Sequence, residues 1–298
     1  MKQGSKITDI IFDYDGTCTQ IPLVYKGFLM SYFEGFAKQM EQLLLPITYK
    51  EWEEALDIVR ANSPHAGWTA ATTPSGPAAA DPYILAFETA SFILRNKKST
   101  ASPDPKIFVP AYSANSPSWR PDAASTFIAL QQKGIQLHFI SNSSTDAIRQ
   151  QLKLLPGVGN ISVQGGASKF RVCELVWDPK KAGEEMPDAV KKQFADIPVA
   201  CTDTAVSNLG RPAYLRRGSY FEAIYGALGN DLRKLATTVF CGDIWELDLA
   251  MPYVLGGNIH LMERAAPFDT YAYEYAVVKG YGDRGKTGKN LSDLLQWV

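Results

Sequence analysis

Histidine and cysteine are scarce in this sequence, which argues against a zinc centre and against a disulfide framework. The three histidines are far apart along 298 residues. The four cysteines form no CxxC pair and lack ligand spacing to a histidine; they are Cys18, Cys173, Cys201 and Cys241. We therefore expect reduced, mostly buried thiols, as is usual for a cytoplasmic protein.

A strong charge of one sign and long apolar runs are also lacking. The formal net charge is −1, so there is no basic excess to hold a nucleic acid. The longest uncharged apolar runs are far too short to span a membrane, and Met1–Lys6 lacks the length and cleavage site of a signal peptide. We predict a cytoplasmic protein with neither a nucleic-acid nor a membrane partner, and its oligomeric state stays open.

Apolar segments alternate with helical patterns along the chain, which favours an α/β fold. Hydrophobic residues make up 46% and charged residues 20% of the sequence, as in ordinary globular proteins. The strand patterns are Ile7–Phe12, Ile135–Ile140, Asn160–Val163, Thr237–Cys241 and Asn258–Met262. Helical spacing occurs at residues 28–45, 49–60, 83–95, 121–133, 146–155 and 220–228. We predict a Rossmann-like, doubly wound parallel sheet.

The predicted core is built from both ends of the chain. We assign residues 1–19 and 116–298 to this core, and residues 20–115 to a mostly helical domain inserted after the first strand. Residues 166–212 are either a second small insertion or an elaboration of the core sheet. Their strand patterns are Phe170–Trp177 and Ile197–Thr202.

Three of the predicted strands end in polar clusters. The clusters are Asp13 with Asp15, Ser141 with Asn142, and Asp243 with Asp248. Because the carboxyl ends of parallel strands meet at one edge of a sheet, we expect the clusters to converge there. So many carboxylates together need a cation, and hard oxygen ligands suit Mg²⁺ rather than zinc. With Mg²⁺ bound, an aspartate can attack a phosphoryl group, while the Ser141 hydroxyl holds a phosphoryl oxygen.

Plainer structural roles are also open to these residues. Asp13 and Asp15 could form a turn or cap a helix, and Ser141 with Asn142 could cap the helix that follows them. Asp248 could merely stabilise the start of a helix.

Three segments around these clusters resemble motifs of the haloacid dehalogenase superfamily. They are Ile-Ile-Phe-Asp13-Tyr-Asp15-Gly-Thr17, Phe-Ile-Ser141-Asn-Ser and Val-Phe-Cys-Gly242-Asp243-Ile-Trp-Glu-Leu-Asp248, which resemble the first, second and fourth motifs. The resemblance covers residues 5–20, 120–165 and 213–262 in the family's order. It implies a superfamily core, with the helical insertion acting as a cap that closes over the site and excludes water.

The resemblance also implies roles for individual residues. Asp13 would be the nucleophile and Asp15 the general acid and base, while Asp13, the Asp15 backbone carbonyl and Asp243 would hold the metal. We expect Asp248 to assist in metal binding. The residues expected to contact the substrate are Gly16, Thr17 and Asn142. The carboxylate at Asp15 indicates a phosphatase, because the dehalogenating branch lacks a carboxylate two residues after its nucleophile.

The third motif of the family, a lysine before a helix, is missing at its expected place. Arg216 and Arg217 stand there instead, directly before a predicted helix. An arginine can bind phosphate oxygens in a bidentate manner, so we predict Arg217 as the phosphate-binding cation and Arg216 as second choice. Lys169 is the competing candidate.

A glycine-rich segment near the end of the chain fits a different phosphate-binding pattern. Residues 280–287 match GxxxxGK[ST]. Only eleven residues follow Thr287, too few for the strands that complete a nucleotide-binding core. We interpret the segment as a connector before a C-terminal helix, Leu291–Trp297.

Together, these features predict a Mg²⁺-dependent phosphomonoesterase that acts on a small phosphorylated metabolite through a covalent aspartyl-phosphate. One alternative is a phosphomutase of the same superfamily, which would need a bisphosphorylated sugar for turnover. Another is a catalytically weak binding or regulatory protein that keeps the fold. The missing lysine of the third motif is the only support for this last possibility.

Overall fold

The computed structural model describes residues 6–69, 73, 75–179 and 183–298. The first five residues, on which the prediction about a signal peptide rests, lie outside this part of the chain. So do small parts of the segments 20–115 and 166–212. The division into a core and inserted domains stays a prediction.

A sheet of six strands forms the centre of the described chain. The strands are β1 (Asp9–Phe12), β2 (Gln136–Ile140), β3 (Ser162–Gln164), β4 (Thr238–Gly242), β5 (Asn258–Met262) and β6 (Gly285–Gly288). Their order is β3-β2-β1-β4-β5-β6, and all neighbours are parallel. The predicted Rossmann-like α/β sheet is confirmed. Because the chain order reverses beside β1, a ligand crevice is expected at the carboxyl end of this strand.

Helices flank the sheet and make up most of the segment between β1 and β2. The α-helices are α1 (Tyr25–Gln42), α2 (Tyr49–Asn62), α3 (Pro82–Asn96), α4 (Phe108–Ala114), α5 (Ala123–Gln132), α6 (Thr145–Leu152), α7 (Asp188–Ala195), α8 (Thr204–Ser207), α9 (Gly218–Ala227), α10 (Ala250–Val254) and α11 (Ala272–Gly280). A π-helix spans Trp245–Leu249, and the predicted C-terminal helix is a 3₁₀-helix, Leu291–Trp297. Within the described residues, no helix has both the length and the apolarity needed to cross a bilayer.

The sheet is buried on both faces because successive strand residues alternate between two apolar layers. Ile11 of β1 and Phe240 of β4 lie in one buried cluster, together with Ile224 of α9. Phe12 of β1 lies in a second cluster on the other face, together with Phe127 of α5. This double burial explains why the strands read as nearly continuous apolar runs.

The helices α1 to α4 build an apolar centre of their own. Phe28, Tyr32 and Phe36 recur at every fourth position of α1 and so share one buried face. They pack with Trp52 of α2 and Ala90 of α3. We call residues 20–115 the cap from here on.

The glycine-rich segment near the C-terminus differs from the prediction. Residues 285–288, expected to be a connector, form the edge strand β6, which pairs with β5. Glycine is needed there for close packing, because a Cβ on Gly285 would lie 2.3 Å from the carbonyl oxygen of Val278. Close packing therefore accounts for glycine at position 285, which the sequence pattern did not reveal.

The two strand patterns within residues 166–212 are not strands of the sheet, contrary to expectation. Phe170–Trp177 and Ile197–Thr202 each form one isolated bridge, to Arg217 and to Tyr214 respectively. Some of their apolar residues pack against the core instead, among them Ile197 and Trp177.

Residues 166–212 pack directly against the core. Met186, Phe194 and Val206 lie in the same buried cluster as Phe221 of α9. This packing favours an elaboration of the core over a separate insertion.

Candidate active site

Three aspartates lie together at the carboxyl edge of the sheet. Asp13 follows β1, and Asp243 and Asp248 follow β4. One carboxylate oxygen from each lies within 4.8 Å of the other two. Because β1 and β4 are paired neighbours, their ends arrive side by side, and the π-helix after β4 turns Asp248 back toward them. The Asp248 Oδ2 accepts a hydrogen bond from the backbone N–H of Ile244 at 3.0 Å.

Lys169 supplies a positive charge beside these carboxylates. Its Nζ lies 2.5 Å from Asp13 Oδ1 and 2.5 Å from Asp248 Oδ1, and its side chain is 2% exposed. Its backbone N–H donates to Asn142 Oδ1 at 2.7 Å. The loop that carries the lysine is thereby attached to the end of β2, and the lysine reaches the nucleophile expected from the sequence.

Burial dominates the ionisation of this cluster. It raises the pKa of Asp13 to about 7, although Lys169 lowers that pKa and the Asp248 carboxylate raises it. Burial first, and then Asp248, raise the pKa of Asp243 well above its usual value. Burial disfavours the charged form of Lys169, but the two carboxylates outweigh it and raise the lysine pKa. One lysine thus leaves negative charge in the cluster that a second cation would stabilise.

Asp15 lies where the cap meets the core. Its Oδ1 accepts a hydrogen bond from the Tyr112 hydroxyl at 2.8 Å, and its Oδ2 accepts one from Ser143 Oγ at 2.5 Å. Tyr112 belongs to α4 of the cap, and Ser143 to the loop after β2. Burial raises the pKa of Asp15, while both hydrogen bonds act in the opposite direction.

Gly16 and Thr17 shape the loop between Asp15 and the cap. Gly16 has a φ of +78°, and a Cβ there would lie 2.5 Å from Asp243 Oδ2, so glycine is required on both counts. Thr17 Oγ1 donates to Asp243 Oδ1 at 2.9 Å. Arg120 holds the loop by donating to the carbonyls of both residues. Their contact with substrate stays a prediction.

Ser141 and Asn142 follow β2, as predicted. Ser141 is 1% exposed, and its Oγ accepts a hydrogen bond from the Ser143 N–H at 3.2 Å. The neighbouring Ser144 caps α6 instead, since its Oγ accepts from the Ala147 N–H at 3.2 Å. Ser141 therefore does not serve as the helix cap, and its contact with phosphate stays a prediction.

Arg217 and Arg216 bind backbone carbonyls rather than the three aspartates among the described residues, and their role as the phosphate-binding cation stays a prediction. Within the described chain, no ion pair or hydrogen bond joins either guanidinium to Asp13. Arg217 is fully buried, and burial lowers its pKa to about 10. The backbone carbonyls that accept from Arg217 are those of Lys169, Ser75 and Tyr214. Arg216 is likewise bound to two backbone carbonyls, whereas Lys169, the competing candidate, contacts Asp13.

Comparisons with known proteins identify the fold. No protein-family model matches the chain, and no curated protein matches it significantly. A solved structure described as a predicted phosphoglycolate phosphatase from Haemophilus somnus 129PT is similar at 13% identity, over 97% of each chain, with a TM-score of 0.50. An L-2-haloacid dehalogenase from Xanthobacter autotrophicus is 12% identical over 97% of each chain, with a TM-score of 0.43. The candidate HAD-hydrolase YfnB from Bacillus subtilis, bound to magnesium, is 12% identical over 98% of each chain, with a TM-score of 0.47.

The chain has the haloacid dehalogenase-like fold. At these identities the likeness concerns the fold alone, and the chemistry has to be argued from the site.

In this haloacid dehalogenase-like fold, the carboxylate cluster could hold a metal ion. Asp13 and Asp243 offer hard oxygen donors, and their raised pKa values reflect buried negative charge with one lysine beside it. Both oxygens of Asp248 are already bound, to Lys169 and to the Ile244 N–H. Each of these oxygens keeps a second acceptor site, and the share of Asp248 in metal binding stays a prediction.

A cavity of about 510 Å³ opens beside Gly16 and Asp243. Asp81, Arg264 and Phe268 also line it. Burial raises the pKa of Asp81 to about 7. The volume lies in the range of pockets that hold small molecules.

Sequence reasoning missed three residues of the site region. Ser143 stands in the same polar cluster as Ser141, so a signal was present. Asp81 accepts from the Ile84 N–H at 2.7 Å and begins α3, where an aspartate before a proline is a recognisable start signal. No sequence pattern indicated Tyr112, because it lies 97 positions from Asp15 in sequence.

Proposed function

We propose that this protein is a Mg²⁺-dependent phosphohydrolase that acts on a small phosphorylated metabolite through a covalent intermediate on Asp13. The observation that carries the proposal is the contact of Asp13 with Lys169 at 2.5 Å, with Asp15 beside it. A nucleophile, a cation for phosphoryl oxygens and a proton carrier then lie at one strand end.

The chain's own residues account for two successive displacements at phosphorus. Asp13 forms a bond to phosphorus while the bond to the leaving oxygen breaks, and Asp15 gives that oxygen its proton. Asp15 then takes a proton from water as the water oxygen attacks phosphorus, which frees inorganic phosphate and restores Asp13. Lys169 stays charged throughout, because the neighbouring carboxylates raise its pKa. A magnesium ion held by Asp13 and Asp243 would supply further charge neutralisation to the phosphoryl group.

Phosphate esters are favoured over haloacids as substrates because of Asp15. Hydrolysis of a carbon–halogen bond needs no proton for the departing halide, whereas most phosphate esters leave as an alkoxide that needs one. Asp15 lies two residues after Asp13 in the chain's first motif, and its carboxyl group would supply this proton. The cavity of about 510 Å³ beside Gly16 and Asp243 has room for a small substrate next to this site, although Asp13 and Lys169 do not line it.

The position of Lys169 argues against the alternative of a catalytically weak binding protein. This alternative rested on the absence of a lysine at the third motif, and Lys169 lies 2.5 Å from Asp13. No contact in the described chain specifically favours a phosphomutase.

A direct assay tests the proposal. We expect phosphate release from p-nitrophenyl phosphate and from a panel of small phosphate esters, lost on chelation of Mg²⁺ and restored by its return. Asp13→Asn should abolish release, while Asp188→Asn, a change at a fully exposed carboxylate, should not. Turnover that survives Asp13→Asn, or halide release from 2-haloacids without any phosphate release, would contradict the proposal.

A further inference from the structure

The general acid and base of the proposed reaction is held by two hydroxyl groups from opposite sides. Ser143 of the core donates to Asp15 Oδ2, and Tyr112 of the cap donates to Asp15 Oδ1. Each carboxylate oxygen has two lone pairs, so one acceptor site on each stays free for substrate or water. Two donors on different oxygens fix the plane of the carboxylate.

Tyr112 is rigidly placed within the cap. Its ring stacks on Phe108 at a centroid distance of 5.7 Å and an angle of 18°, and it lies 5.4 Å from the ring of Tyr83. Its helix α4 is attached to α1 by a hydrogen bond from Asn115 Nδ2 to Ser31 Oγ at 3.1 Å. Burial raises the pKa of Tyr112, so the hydroxyl keeps its proton and remains a donor.

Tyr83 provides an internal comparison. Its hydroxyl is also buried beside the site, yet it has no hydrogen-bond partner among the described residues. The two tyrosines thus share a ring environment and differ in the contact with Asp15.

We propose that Tyr112 is a positioning residue that orients Asp15 for proton transfer. This inference rests on the proposed phosphohydrolase function. Tyr112 itself neither gains nor loses a proton, because the proton passes between Asp15 and the leaving oxygen or water. The cap would then contribute to the chemical step in addition to excluding water from the site.

Leaving-group dependence separates positioning from a packing defect. Tyr112→Phe keeps the ring contacts and removes the donor. Tyr112 donates its hydrogen bond to a carboxylate, and loss of a hydrogen bond to a charged group should lower kcat on an alkyl phosphate by about 10-fold or more. The loss on p-nitrophenyl phosphate should be several times smaller, because its leaving group needs little protonation, and KM should change little on both. Tyr83→Phe, which removes a hydroxyl without a partner, should match the wild type.

A double-variant cycle completes the test. In the background of Asp15→Asn, the further change Tyr112→Phe should alter kcat by less than about twofold, because the residue it positions is gone. Equal losses on both substrates, full additivity with Asp15→Asn, or a faster Tyr112→Phe enzyme would overturn the inference. Urea unfolding of Tyr112→Phe beside the wild type shows whether the variant keeps its stability, so that the loss of activity reports on the missing hydroxyl.

The outcomes also separate this inference from the function on which it rests. If the wild-type protein shows no turnover, or if its turnover does not depend on Asp13, the proposed function is contradicted, and the role of Tyr112 with it. An active wild type with an unchanged Tyr112→Phe variant would contradict the role of Tyr112 alone.

Discussion

Removal of Lys169 is the perturbation whose effect follows most directly from the structure. The ammonium lies 2.5 Å from both Asp13 and Asp248, and the side chain is 2% exposed. Lys169→Met leaves three aspartates with carboxylate oxygens within 4.8 Å of one another and no lysine beside them. Removing one partner of a buried ion pair costs about 3–5 kcal/mol, so we expect the free energy of unfolding to fall by about that amount at pH 8.

The loss of stability in Lys169→Met should depend on pH. Without Lys169, the pKa of buried Asp13, already about 7, rises further above the value of about 3.9 for an unfolded aspartate. The folded variant then binds more protons than the unfolded chain, so its stability increases as the pH falls. The deficit relative to the wild type should therefore shrink between pH 8 and pH 5.5.

Urea unfolding at these two pH values measures the effect, and Lys192→Met is the matched control. Lys192 pairs with Asp196 at 2.6 Å, but the two side chains are 73% and 62% exposed, and such surface pairs contribute at most about 1 kcal/mol. Added Mg²⁺ should restore part of the stability of Lys169→Met. Phosphatase activity should fall about 10²–10³-fold, the usual effect of losing one stabilising group at a transition state.

Three results would refute this reasoning. The first is a Lys169→Met protein as stable as the Lys192→Met control. The second is a deficit that grows as the pH falls. The third is loss of phosphatase activity in Arg217→Met together with retained activity in Lys169→Met, which would return the phosphate-binding role to Arg217.

Two further predictions concern the loop after β1 and a buried histidine. Gly16→Ala should lower activity more than 10-fold, because its Cβ would lie 2.5 Å from Asp243 Oδ2. The control Gly134→Ala has a similar φ of +81° but no atom within 4 Å of the new Cβ, so it should cost about 1 kcal/mol of stability and leave activity unchanged. Equal activities of the two variants would contradict this prediction. Burial lowers the pKa of His260 to about 4. As the pH falls through 6.5, the histidine therefore takes up a proton in the unfolded chain but not in the folded protein. The wild type should lose about 2 kcal/mol of stability between pH 7 and pH 5 because of this group. His260→Gln should remove that part of the pH dependence in urea titrations, and an identical slope in both proteins would show that the histidine is not responsible.

The parts of the site that could be predicted are those set by local rules. Asp13 and Asp243 each follow an apolar strand, and parallel strands bring their ends together whatever the rest of the chain does. The first motif could therefore be interpreted without knowledge of the cap.

Contacts across long loops could not be predicted. Lys169 reaches Asp13 through a loop that Asn142 attaches to the end of β2, and nothing in its neighbouring sequence indicates that attachment. Tyr112 lies in α4, within a segment rich in proline and serine, where helical periodicity is weak. Its contact with Asp15 depends on how the whole cap packs.

Arg217 and β6 show how one residue pattern serves different physical purposes. An arginine before a helix is a reasonable phosphate ligand, but here its guanidinium binds carbonyls of both the cap and the Lys169 loop. The glycines of β6 match a phosphate-binding pattern and instead allow a close approach of β6 to α11 at Val278. Only the packing distinguishes these uses.

The most direct test of the central claim is detection of the phosphoryl group on Asp13. The protein is mixed with Mg²⁺ and p-nitrophenyl phosphate, quenched in acid during turnover, and digested for peptide mass spectrometry. We predict a phosphoryl group on the carboxylate of Asp13, which accumulates further in Asp15→Asn because the water step then lacks its base. Phosphate release without any phosphorylated Asp13, in the wild type and in Asp15→Asn, would contradict the account.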